Sequence, residues 1–137
     1  MPEDPTVTVV AWVSRHPPLP AQTAYLERRL GPIEVRQLSK TFTDYRNVLA
    51  EVKKIGARYA VVVLPLSMIA LLVASKDITW LWAEMAPVHQ NSCPGPDVCA
   101  DFKPETDVVM ASPTLSRHLR FKCFKRIKEV RMVTEDW

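Results

Sequence analysis

The residues best able to do chemistry in this chain fall into three sets. The first lies just after apolar, β-branched runs: Ser14, Arg15 and His16; then Ser39, Lys40, Thr41 and Asp44; then Ser67; then Glu84 and His89. If those runs are strands of an open α/β sheet, the residues gather outside the strands' carboxyl ends, where such sheets bind ligands and where helix amino termini point. Arg15, His16, Lys40, Thr41 and Ser67 then form a candidate site for a phosphate or carboxylate. His16 is the candidate catalytic acid or base, which Ser14 or Ser67 would need to become a nucleophile. The plainer reading is that hydroxyls at such junctions cap helices, and that a histidine before Pro17 and Pro18 is a turn residue.

The second set is His89, Cys93 and Cys99, with His118 or Cys123 as a fourth member. Sulfur and imidazole are zinc's ligands, and a closed structural zinc site needs four. Five residues separate Cys93 from Cys99, wider than the roughly two to four of a usual knuckle. A Cys93–Cys99 disulfide and free thiols are the competing readings. No other cofactor is expected.

The third set is basic: Arg117, Arg120, Lys122, Lys125, Arg126, Lys128 and Arg131, opposed only by Glu129 and interleaved with Phe121 and Phe124. In a strand, Arg120 and Lys122 share a face and suit a nucleic-acid backbone, in salt-sensitive contacts indifferent to base sequence. The alternative is a solvated edge strand whose cations discourage aggregation.

Behind these residues stands an alternation of strands and helices. Residues 7–13 (VTVVAWV) are apolar on both faces, the mark of a strand covered on two sides. A helix over 19–30 is closed by Gly31 and Pro32, and a second strand over 33–38 sits nearer an edge. Phe42, Tyr45, Val48, Leu49, Val52 and Ile55 recur at helical spacing, so a helix spans 41–55, with Thr41 or Thr43 as its cap and Gly56 as its stop. Residues 59–64 form a third strand, 68–74 a short buried helix that Ser67 can cap, and 78–85 a fourth strand. Trp80 and Trp82 share one of its faces, as core or as a self-association surface.

Residues 86–106 hold four prolines and two cysteines without periodicity and read as a long loop. A short strand follows at 107–111. From residue 115 apolar positions fit both a strand and a helix; the alternation favours a strand, with another at 129–134.

The expected fold is therefore α/β: a single domain over 1–137 with a small, doubly wound, mostly parallel sheet, first strands ordered 2-1-3-4, and a strand pair within a basic C-terminal segment at 115–134. In this the strand–helix rhythm resembles many small doubly wound domains, flavodoxin-like or Rossmann-like, including nucleotide-sensing ones. The likeness is one of fold and carries no residue roles.

Bulk properties narrow the field. The chain has 137 residues, 47% hydrophobic and 24% charged, with a net charge of +3. Only 3 glycines are present against 12 prolines, so no glycine-rich phosphate loop exists, and the stiff loops fit a thermophilic source. The uncharged run at 59–75 is interrupted by Pro65 and reads as strand plus helix, not as a membrane span. Three cysteines and an acidic, proline-containing start without a basic leader fit a cytoplasmic protein. The expectation is a non-catalytic binding or regulatory module for a small anionic ligand or a nucleic-acid backbone, plausibly a homodimer without membrane contact. The alternatives are an enzyme on a phosphate-containing substrate using His16, and an interaction protein of a mobile element.

Overall fold

The computed structural model describes residues 7–88, 102–110 and 117–137. The elements run β1 (Thr8–Val13), α1 (Pro20–Leu30), β2 (Ile33–Gln37), α2 (Tyr45–Lys54), β3 (Tyr59–Val62), α3 (Leu66–Leu72), β4 (Thr79–Pro87), β5 (Asp107–Met110) and β6 (Arg117–Arg126). The strands form one sheet in the order β2-β1-β3-β4-β6-β5. The pairs β1/β2, β1/β3 and β3/β4 are parallel, in the expected order 2-1-3-4. β5 and β6 pair antiparallel, so the sheet is mixed. The strand pair expected within 115–134 is not formed among the described residues: β6 pairs instead with β5, the short strand expected at 107–111. No strand forms at 129–134, where alternation alone finds no neighbouring strand to bond.

The chain divides into two compact units. The first comprises the described residues of Met1–Pro17, Gly31–Trp82 and Lys125–Trp137. Its core is one cluster. Ala11 and Val13 of β1 lie in register with Ala60 and Val62 of β3, and that face packs with Val48 and Val52 of α2 and Ile69 and Leu72 of α3. Val10, Trp12 and Val61, which point the other way, are also buried. Double coverage is why these strands are apolar without alternation. β2, at the sheet edge, does alternate: Ile33 and Val35 are half-buried and Glu34 and Arg36 exposed.

α2 shows how local chemistry sets an element's limits. It starts at Tyr45, not at residue 41, because Asp44 is the better cap. Its carboxylate accepts from the Arg46 backbone N–H at 2.9 Å and from the Arg46 guanidinium at 2.8 Å. Those bonds hold the Asp44 carboxyl below the usual range, the Arg46 side chain contributing most. At the other end Gly56 takes φ 72°, the left-handed region open to glycine. Gly56 N–H then reaches Lys53 O and Ala57 N–H reaches Val52 O, satisfying two end carbonyls. α3 spans 66–72 with Pro65 at its cap position and no side-chain cap bond, so Ser67 lies inside the helix rather than capping it.

The second unit comprises Pro18–Leu30 and the described residues of Ala83–Phe124. α1 opens with Gln22 reaching back: its Oε1 accepts from Leu19 N–H at 2.8 Å, and Pro20 occupies the first turn, where no donor is needed. Tyr25 of α1 meets Phe121 edge-on at 5.9 Å and Phe124 at 5.5 Å. A regular pleat would aim residues 121 and 124 to opposite faces. Burial in β6 instead falls on His118, Phe121 and Phe124, so the two-residue alternation does not hold along this strand. Trp80 and Trp82 also part ways: Trp80 is buried, its indole N–H donating to Ser75 O at 3.1 Å, while Trp82 is 49% exposed.

Among the described residues no helix is long and apolar enough to cross a membrane. The uncharged run 59–75 is divided between β3 and α3.

Candidate functional site

Three parallel strands end together. Trp12 of β1 pairs in register with Gln37 of β2, and Val13 with Val62 of β3. The segments that follow, residues 14–16, 40–42 and 63–65, line an open cleft of about 370 Å³. That volume lies within the range of small-molecule sites, roughly 300–1,000 Å³. Because the chain goes from β1 to a neighbour on one side and later to β3 on the other, the cleft marks a reversal of strand order, where open α/β sheets bind ligands.

Backbone hydrogen bonds fix the cleft's walls. Leu38 N–H donates to Trp12 O at 2.8 Å and Val63 N–H to Val13 O at 3.1 Å, tying the exits of β2 and β3 to β1. The turn after β1 is held three times. Trp12 Nε1 donates to His16 O at 2.7 Å, Gln37 Nε2 to Ser14 O at 3.0 Å, and His16 N–H to Ser14 Oγ at 3.1 Å. These bonds engage the backbone and leave the Arg15 and His16 side chains exposed.

Two cations border the cleft, in different states. Lys40 Nζ pairs with Glu51 Oε1 at 3.0 Å, and this bond holds the Glu51 carboxyl below its usual range. Arg15 donates to the neutral Thr41 hydroxyl and has no carboxylate partner among the described residues. Arg15 therefore carries the uncompensated charge, on a planar fork suited to phosphate or carboxylate. Val13, Phe42 and Leu64 supply apolar wall.

Arg15, His16, Lys40 and Thr41 are thus brought together, with Ser14 beside them. Ser67 is not: it is exposed within α3 and does not line the cleft. Glu84 lies inside β4, which continues to Pro87, and its Oε2 accepts from Cys123 Sγ at 3.2 Å. His89, Cys93 and Cys99 lie outside the described residues, and with them the zinc and disulfide readings. Among the described residues no three His, Cys, Asp or Glu side chains form a metal-holding group.

His118, the remaining candidate ligand, belongs to a cluster that sequence reasoning missed. Asp107 is fully buried and accepts five hydrogen bonds. Thr106 Oγ1 gives one at 2.6 Å and Lys103 N–H one at 3.0 Å. Arg120 gives two, Nε at 2.8 Å and Nη2 at 3.0 Å, and His118 Nε2 gives one at 2.6 Å. Burial opposes the charge, but these donors outweigh it, Arg120 most strongly, and hold the Asp107 carboxyl far below the usual range. An ionised carboxylate only accepts, so Nε2 is the protonated nitrogen of His118. With Asp107 opposite Arg120 in the β5/β6 register, the signal available in the sequence was an opposite-charge cross-strand pair.

The same pairing bears on the basic face, since Arg120 holds Asp107 with two hydrogen bonds. Arg117, Lys122, Lys125 and Arg126 are exposed along β6. Compared with protein-family models, curated proteins and solved structures, the chain gives no match.

Proposed function

We propose that this protein is a non-catalytic α/β binding or regulatory module that holds a small anionic ligand at the carboxyl edge of its parallel strands. One observation carries the reading: Arg15, without an acidic partner among the described residues, borders a cleft at the reversal of strand order, with His16, Lys40 and Thr41 around it. The chemistry favours a phosphate or carboxylate head on Arg15 and Thr41, with an apolar or aromatic body against Phe42 and Leu64. A doubly wound, flavodoxin-like or Rossmann-like arrangement of the first four strands accords with a ligand in this place. The odd cysteine count accords with a cytoplasmic setting.

Titration calorimetry with inorganic phosphate and with adenosine monophosphate tests the reading. Saturable binding that weakens about tenfold in Arg15→Ala is expected, the size of one lost charge-assisted contact. In His16→Ala most of the affinity should survive. Binding that survives while turnover of a phosphate ester vanishes in His16→Ala would make the protein an enzyme instead. Equal binding by wild type and Arg15→Ala would remove the site.

A further inference from the structure

A second cleft, of about 320 Å³, lies in the first unit. Ile78, Trp80 and Ile127 form its floor, and Lys76, Arg126 and Lys128 stand at its rim. Ile127 N–H donates to Trp80 O at 2.8 Å, which fixes the floor. None of the three cations has an acidic partner among the described residues. The cleft therefore calls for an occupant that is aromatic or aliphatic and negatively charged.

The chain carries a segment of that kind. Val130 still packs against the core, but every residue from 131 to 137 is exposed and outside regular structure. Met132, Val133 and Trp137 are 87%, 85% and 119% exposed, more than any other large apolar side chain described. Glu135 and Asp136 stand directly before Trp137.

We propose that residues 131–137 of one copy dock in the basic cleft of a second copy, and the reverse, joining two chains by exchanged tails. Trp137 meets the apolar floor, and Glu135 and Asp136 meet Lys76, Arg126 and Lys128. The tail leaves the core after Val130, two residues past Lys128 at the cleft's own rim, and residues 131–137 contain neither glycine nor proline to turn them back. In its own chain the tail stays exposed and contributes no residue to the cleft's lining, which leaves the cleft of a second copy as its receptor. Two copies related by a twofold axis satisfy both contacts and close the assembly.

Sedimentation velocity on the full chain, over protein concentrations from about 1 to 200 µM, reads the result directly. A dimer is expected, weakening with added salt. Trp137→Ala, and separately the pair Arg126→Glu with Lys128→Glu, should each raise its dissociation constant about tenfold or more. The charge-reversed variant keeps its tail and Trp137→Ala keeps its cleft, so their mixture regains one of the two contacts and associates better than either alone. A monomer at all concentrations, a dimer indifferent to removal of residues 132–137, or a mixture no better than its parts would each overturn the proposal. Phosphate binding at the Arg15 cleft is untouched by these changes and reports separately on the proposed function.

Discussion

Two clusters of charge in this molecule are built on opposite terms. At the carboxyl edge of β1–β3, Arg15 and His16 are exposed and the hydrogen bonds engage the backbone around them. Around Asp107, the aspartate and His118 are wholly buried and five donors converge on one carboxylate. A charge with all its partners inside the fold serves the fold. A charge with a rigid backbone beneath it and an open cleft before it is available to a ligand. The basic residues look alike in the sequence, and Arg15 and Arg120 differ only in what folding puts opposite them.

Replacing Asp107 by asparagine should break this comparison most severely. The change leaves the Arg120 guanidinium without its counter-ion and His118 Nε2 without its carboxylate acceptor, and the loss should be about 3 kcal/mol, at the low end for a buried pair because the Arg120 side chain is 35% exposed. Urea unfolding measures it; unchanged stability would mean that the cluster does not hold β5 on β6.

A smaller effect should appear on acidification. The Asp107 pKa is lower in the folded state than in the unfolded chain, so its stabilisation is complete above the ordinary aspartate value, about 4, and is lost as pH falls below it. Stability measured between about pH 4 and pH 2 should decline steeply in wild type and less so in Asp107→Asn. Parallel declines would assign acid sensitivity elsewhere.

The smallest effect on stability belongs to the other cluster. Arg15→Ala should move the thermal midpoint by no more than about 2 °C, since the side chain is exposed and bonds only a hydroxyl. Anion affinity should nevertheless fall. A large loss of stability would mean that Arg15, like Arg120, serves the fold.

The parallel half of the fold was legible because coverage on both faces leaves a plain trace: apolar runs without alternation, separated by amphipathic helices with glycine stops. The rim residues followed from strand direction alone, and Arg15, His16, Lys40 and Thr41 do meet. Ser67 does not, because Pro65 starts α3 and carries the serine into the helix. Other features were hidden by competition between partners. Asp44 won the cap of α2 over Thr41, whose hydroxyl accepts from Arg15. Asp107 read only as the first residue of a short strand until the β5/β6 register set it against Arg120. Residues 129–134 alternate like a strand, yet alternation forms one only beside a partner.

Backbone amide NMR during titration with adenosine monophosphate tests the central claim most directly. The account predicts saturable shifts confined to residues 14–16, 40–42, 63 and 64, with a midpoint about tenfold higher in Arg15→Ala. Shifts centred on 117–126, or no saturable shift at all, would contradict it.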